Sequence, residues 1–259
     1  MPEPDLALLI SVAEEAAQIA VPLANGRAEM WEKSGGAGPV TEADLAVNAM
    51  LEARLKAARP DYGWLSEETE DDPKRLQNPA CFILDPIDGT RSFIAGEPSW
   101  AHSFATVQDG QVIAAVIYLP MLKRMYTATL HGGAMLNGEK IDVRKGCQLA
   151  EADILAARPA LEPSHWSGGK VPTFRRHYRP SLAYRMALVA DGSFDGMITF
   201  RGTWEWDICA GALIASKAGA VVSDRRGKKL QFNGASAMTK GVITAPKPLH
   251  DEILSRLNI

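Results

Sequence analysis

The 259-residue sequence predicts a mixed protein of two packed halves: an α+β half over residues 1–144 and an α/β half over residues 145–259. Three patterns carry this. Helical spacing of apolar residues dominates the first 60 positions, and strand runs joined at Asp109-Gly110 and Asn137-Gly138 follow up to Arg144. Beyond that point strands and helices alternate, as in layered α/β architecture.

Taken in order, Leu6, Ile10, Ala13, Ala17 and Ala20 recur at helical spacing and predict an amphipathic first helix. Glu14 and Glu15 interrupt its apolar stretch and acids precede it, so it does not read as a signal peptide. No apolar run approaches the roughly 20 residues of a membrane span. WEKSGGAGPVTEAD is a glycine-rich loop, expected to be exposed and mobile, and it ends in Thr41. From Thr41 a second helix runs to Pro60, with Thr41 and Asp44 spaced as a capping box.

YGWLS predicts a short strand ahead of an acidic loop, and CFIL a buried strand with no polar alternation. Asp-Gly and Asn-Gly suit two-residue hairpin turns, whose central residues need positive φ. In the second half ILAARP, GMITF and AVVSD read as strands. LAYRMALVADG and WDICAGALIASKAG read as helices ending at Gly192 and Gly219.

Hydrophobic residues make up 46%, charged residues 23% and the net charge is −3, which point to neither a nucleic-acid nor a membrane partner. The three cysteines show no metal or disulfide spacing, so a reducing, cytoplasmic setting is expected, with Cys81 and Cys209 as small buried apolar residues.

Four acidic residues stand where regular elements begin or end: Glu67 after GWL, Asp85 and Asp88 after CFIL, and Asp207 at the start of a helix. Each also has an ordinary use. Asp207 suits a helix cap, Asp88 before Gly89 a turn, Asp44 a capping box, and Glu67 a solvated acidic run. Convergence is what would distinguish the set, because two carboxylates about 4 Å apart repel by roughly 4 kcal/mol at an effective dielectric near 20. A hard cation relieves that repulsion, and all-oxygen ligands suit Mg²⁺ or Mn²⁺ rather than zinc. Gly89-Thr90 adds backbone N–H groups for a phosphate if a helical turn starts there. The implied chemistry is metal-assisted hydrolysis of a phosphate ester. The chain has no G-x-x-x-x-G-K-[ST], G-x-G-x-x-G or G-x-S-x-G motif.

WLSEE, LDPIDGT and WEWDICAGALIASKAGA, in this order, resemble the inositol monophosphatase family of Mg²⁺-dependent, typically lithium-sensitive phosphomonoesterases. The resemblance implies a layered αβαβα sugar-phosphatase fold, a homodimer, and two or three Mg²⁺ ions with Mn²⁺ as an alternative. By the same resemblance Glu67, Asp85, Asp88 and Asp207 are metal ligands, joined by the carbonyl of Ile87. Thr90 and Asp44 orient and deprotonate water, with Glu67 also catalytic, and Gly89 and Thr90 bind phosphate. Lys33 matches a lysine near a weaker third metal position. Hydrolysis then proceeds by metal-activated water without a phosphoenzyme, and none of the five histidines has a necessary role.

The substrate implied is a small phosphate monoester, of inositol monophosphate or sugar phosphate type. Inositol-specific members carry an acid seven residues before the WD aspartate, where this chain has Phe200. Glu205 is a nearby substitute or a supporting hydrogen-bond partner. TRSFIAGEP resembles histidinol-phosphate phosphatases. A 3'(2'),5'-bisphosphate nucleotidase is a further alternative, in which Arg179, Arg185 or Arg201 would meet a second phosphate. A regulatory protein on the same fold is the non-enzymatic reading.

Overall fold

The computed structural model describes residues 4–33 and 38–258. The expected mobile loop falls partly on residues 34–37, outside the described residues. In chain order the first elements are α1 (Asp5–Leu23), β1 (Met30–Glu32), β2 (Pro39–Thr41), α2 (Glu42–Ala58), β3 (Gly63–Ser66), β4 (Ala80–Asp88) and α3 (Thr90–Ile94). Strands β5 (Ala101–Gln108), β6 (Gln111–Leu119), β7 (Arg124–Thr129), β8 (Ala134–Leu136) and β9 (Glu139–Lys140) follow. The remaining elements are β10 (Asp153–Ala156), β11 (Arg175–His177), α4 (Leu182–Ala190), β12 (Gly196–Trp204), α5 (Glu205–Lys217), β13 (Val221–Ser223), β14 (Met238–Ala245) and α6 (Lys247–Arg256).

Two large sheets organise these elements. A seven-stranded sheet runs β3 to β9 in sequence order, and a five-stranded sheet has the order β11-β10-β12-β14-β13. Local turn chemistry explains the meander: Asp109 and Gly110 have φ of 51° and 73°, Asn137 and Gly138 51° and 84°, as a primed hairpin turn demands.

The burial of β4 on both faces explains its unbroken apolar run. Phe82 and Leu84 pack with Leu9, Val12, Val47 and Leu51 of α1 and α2. Cys81 and Ile83 face the other way, into a core shared with Met186 of α4 and Cys209 and Ala212 of α5. A third core, Ile154, Ile198, Ile243, Leu249 and Ile253, lies between the five-stranded sheet and α6. The layers are therefore helix, sheet, helix, sheet, helix.

Helix α1 forms where the apolar spacing places it. By length and mean hydropathy of 1.6 it is long and apolar enough to cross a membrane. Its residues Leu8, Leu9, Val12, Ala13, Ala16, Ala17 and Ala20 are buried. They pack on α2 and the sheet, so a core helix passes the same test.

Candidate active site

At the end of β4 the ladder with β5 is irregular. Asp85 pairs with Ser103 and Asp88 with Ala101, so Pro86 and Ile87 together oppose His102. This is a β-bulge, and it resolves a geometric difficulty. Residues three apart in a regular strand face opposite sides, whereas one extra residue restores the phase. Ile87 accordingly packs into the α1/α2 core. Asp85 and Asp88 both point toward the N-terminal ends of α4 and α5. The Ile87 N–H donates to Asp85 Oδ1 at 3.0 Å, which holds the bulge from the carboxylate side.

His102, fully buried, holds it from the other side: Nδ1 lies 2.5 Å from the Pro86 carbonyl oxygen, which accepts, so Nδ1 carries the hydrogen. The ring lies among Trp100, Phe104 and Tyr118. Burial pushes its pKa down to about 4, and the ring is neutral at pH 7. Sequence reasoning gave the histidines no role. His102 is the second residue of β5, a strand that also carries Ser103 and Thr106, so its polarity gave no signal of its own.

One oxygen from each of Asp85, Asp88 and Asp207 lies within 4.8 Å of the others. Asp88 Oδ2 accepts from Ser181 Oγ at 2.7 Å and from the Ala183 N–H at 2.7 Å. Ser181 is also the N-cap of α4, accepting from the Tyr184 N–H at 2.9 Å. Asp207 is the third residue of α5, where Trp204 takes the cap position, so the aspartate is not the cap. The first turn of α5 is pinned to β5 by Ser103 Oγ donating to the Trp206 carbonyl at 3.1 Å. The positive ends of both helix dipoles thus face the carboxylates.

That compensation is incomplete. Burial, then the neighbouring carboxylates, raises Asp85 and Asp207 well above the ordinary carboxylate range. Burial pushes Asp88 up to about 6, opposed by the Ser181 hydrogen bond. An all-oxygen cluster of anions with raised proton affinity fits a hard divalent cation.

The three aspartates form one end of a cleft of about 630 Å³, also lined by Glu67, Gly89, Thr90, Arg185 and Arg201. Gly89, at φ 99°, turns the chain from β4 into α3, whose first residue is Thr90. A Cβ at Gly89 would lie 3.4 Å from Trp100 Cα and 3.5 Å from Ser181 Cβ. Thr90 Oγ1 donates to the Ile87 carbonyl at 3.2 Å.

Glu67 reaches the cleft beside Lys33, whose Nζ is 2.9 Å from Glu67 Oε1 and 2.7 Å from Glu68 Oε1. Burial lowers the Lys33 pKa, but the two carboxylates outweigh it and the net shift is upward. Burial pushes Glu68 up to about 7. Glu68 was not singled out from sequence, where it is one acid in an acidic run.

Other residues lie apart from the cleft lining. Asp44 forms the capping box of α2, its Oδ2 accepting from the Thr41 N–H at 2.8 Å and from Thr41 Oγ1 at 2.6 Å. It is buried, burial pushes it up to about 6, and Glu67 is among the charges it feels. No hydrogen bond joins it to Thr90 among the described residues. Phe200 faces away from the cleft and packs on Trp166 at 5.5 Å, while Thr199 and Arg201 on either side of it line the cleft. Glu205 is buried and accepts from the backbone N–H groups of Asn233 and Gly234 at 2.6 and 3.0 Å. A second cavity of about 220 Å³, lined by residues such as Val112, Leu213 and Phe232, contains no carboxylate.

The chain is similar to known proteins along most of its length. The model of the inositol monophosphatase family matches residues 1–258. An inositol-1-monophosphatase of Mesorhizobium japonicum is 34% identical over 213 residues, 77% of each chain. The Nus factor SuhB of Vibrio cholerae is 31% identical over 258 residues, 95% of this chain and 92% of that one. Among solved structures, the IMPase of Thermotoga maritima superposes with a TM-score of 0.83 at 28% identity, covering 97% of this chain and 95% of that one. With the layered fold and the acidic cleft already in view, these matches establish that the chain belongs to the inositol monophosphatase family, whose class is the phosphoric monoester hydrolases.

Proposed function

We propose that the cleft hydrolyses a small phosphate monoester with the help of Mg²⁺ held by Asp85, Asp88, Asp207, Glu67 and the Ile87 carbonyl. The observation that carries this reading is the convergence of three carboxylates within 4.8 Å at the mouths of two helices. A bound divalent cation there would offset the buried negative charge, lower the pKa of water and polarise the phosphoryl oxygens.

The chain's own residues do the rest. Backbone N–H groups of Gly89 and Thr90, at the start of α3, hold the phosphate. By family membership the Thr90 hydroxyl orients the attacking water and Asp44, a carboxylate pushed up to about 6, takes its proton, which requires Asp44 to be reached from the cleft beyond the Thr41 contacts it now makes. The water oxygen bonds to phosphorus as the phosphorus–oxygen bond to the alcohol breaks, the departing alkoxide takes a proton from solvent water to leave as the alcohol, and no enzyme side chain carries the phosphoryl group. Lys33 fixes Glu67 and Glu68 at the rim. Residues 1–144 and 145–259 serve as the two halves on either side of the cleft. A cytoplasmic homodimer sensitive to lithium completes the reading, on the strength of family membership.

Relatives bear names that include inositol-1-monophosphatase and, in Thermotoga maritima, fructose-1,6-bisphosphatase/inositol-1-monophosphatase. Phe200 supplies no acid for inositol hydroxyls, and Glu205 spends its carboxylate on backbone N–H groups. A sugar phosphate is therefore preferred over inositol monophosphate. The test is phosphate release from inositol 1-phosphate, fructose 1,6-bisphosphate, histidinol phosphate and 3'-phosphoadenosine 5'-phosphate, with Mg²⁺ and with EDTA. Mg²⁺-dependent release that EDTA abolishes supports the reading; no release from any of the four contradicts it.

A further inference from the structure

Away from the acidic cleft, segments far apart in sequence enclose the cavity of about 220 Å³. Val112 comes from the β5–β6 hairpin, Leu130 from just past β7, Ala212 and Leu213 from α5, and Leu230 and Phe232 from the loop between β13 and β14. The Phe232 N–H donates to the Gly110 carbonyl at 3.1 Å and the Leu130 N–H to the Ile113 carbonyl at 2.9 Å, so backbone bonds hold two of the walls. Val112, Ala212, Leu213 and Phe232 each keep 6% of their surface exposed and Leu230 9%, whereas Ile214 and Ala215, next along α5, keep 0%. The difference is the hollow that the first group faces, which opens to solvent.

The rim of this hollow is polar and of one sign. Lys217, in the last turn of α5, and Lys229 line it with Gln111 and Ser216, and none of these four side chains makes a hydrogen bond or ion pair among the described residues. Either lysine alone has an ordinary use: Lys217 complements the helix dipole, and Lys229 is exposed and solvated. Together they flank an apolar hollow whose lining holds no acid, so their charge meets no partner there. An apolar body would take the exposed lining out of water, and one carboxylate would answer the two ammonium groups. The volume lies just below the usual range of ligand sites, which suits a ligand of roughly ten non-hydrogen atoms. Helix α5 carries Asp207 in its first turn and Lys217 in its last, about 15 Å away at 1.5 Å per residue, so the cavity and the aspartate cluster stand at opposite ends of one helix.

We propose that this cavity is a binding site for a small amphipathic monoanion, an apolar chain or ring ending in a carboxylate, seated with the carboxylate between Lys217 and Lys229. The site is separate from the acidic cleft and does not depend on the reaction proposed there.

Octanoate is the probe, titrated calorimetrically into the full chain in EDTA at low ionic strength, so that no cation in the acidic cleft draws its carboxylate. The expected result is saturable binding at one site, at least about tenfold tighter than that of butanoate, since each buried CH₂ tightens binding by up to about fourfold. Octylammonium, with the same chain and the opposite charge, should bind at least about tenfold more weakly than octanoate. The double variant Lys217→Gln/Lys229→Gln, altered only at the rim, should lower octanoate affinity about tenfold and bring the two octyl probes to within about threefold of each other. Ser216→Phe, at an exposed position on α5, should close the mouth and remove saturable binding while keeping both lysines. Absence of saturable binding, no preference for octanoate over butanoate or octylammonium, or binding that survives the lysine changes and is lost in Arg201→Gln at the acidic cleft, would overturn the site. Phosphate release plays no part in the readout, so failure here leaves the hydrolase reading standing.

Discussion

The carboxylate of Asp88 accepts a 2.7 Å hydrogen bond from Ser181 Oγ, joining the end of β4 to the N-cap of α4 across 93 residues of sequence. One hydroxyl thus caps a helix and orients a carboxylate of the acidic cluster. Ser181→Ala removes both bonds. A partner that orients a metal ligand is typically worth 10–100-fold in metal affinity or activity. The Mg²⁺ concentration giving half-maximal phosphate release is therefore expected to rise by roughly 10–100-fold. Loss of the cap costs about 1 kcal/mol, which urea unfolding would register.

Asp85 lies in a cluster whose members repel one another without a cation. Asp85→Asn keeps an oxygen to accept the Ile87 N–H and removes one charge. In EDTA the variant should be more stable by about 2 kcal/mol, on the scale of one screened carboxylate pair. That corresponds to a Tm higher by roughly 4–8 °C for a chain of this size. Mg²⁺ should raise the Tm of the parent and not of the variant, and phosphate release by the variant should fall to background. A variant less stable than the parent in EDTA would show that the carboxylates are not in repulsion.

His102 makes stability depend on pH. Its pKa is about 4 in the folded chain and ordinarily 6.5, so the unfolded chain binds more protons between those values. Stability from the buried neutral ring is fully present above about pH 6.5 and is lost as pH falls toward 4. His102→Gln retains an N–H for the Pro86 carbonyl and does not titrate. Between pH 7 and 4.5 the parent should lose roughly 2 kcal/mol more than His102→Gln in urea unfolding. Equal losses would contradict the buried neutral histidine.

Glu205 lies two residues from Asp207, yet it holds the backbone of Asn233 and Gly234 and does not line the cleft. Glu205→Ala leaves two partly buried N–H groups without their acceptor and should cost about 1–3 kcal/mol. The KM for any accepted substrate should stay within about twofold of the parent value. A large KM change with unchanged stability would return Glu205 to the substrate side.

Local rules made much of the fold readable in advance. The alternation around Asp-Gly and Asn-Gly located the hairpins, and T-x-x-D located the start of α2. The apolar run of β4 announced a strand buried on both faces. Strand β14 and helix α6 were not anticipated, since neither carries a strong periodic or turn signal, although both complete the third core.

At the cleft, the acids could be named from spacing and resemblance, but their convergence depends on a bulge with no marker beyond Pro86. Ser181 acts through Asp88, 93 residues away, and Glu68 is hidden in a charged run. Phe200 shows the converse. Its position in the resemblance suggested the substrate side, whereas strand phase turns it into the core and exposes Arg201 instead.

The central claim is that the aspartate cluster binds the cation on which phosphate release depends. Calorimetric titration of Mg²⁺ into the metal-free protein, alongside phosphate release, tests it most directly when the parent is compared with Asp88→Asn. The isosteric variant still accepts from Ser181 and Ala183, so its fold should persist. The account predicts saturable Mg²⁺ binding by the parent, release that follows its occupancy, and at least about tenfold weaker binding with background release for Asp88→Asn. Parental binding and turnover in Asp88→Asn, or turnover by the parent in EDTA, would contradict it.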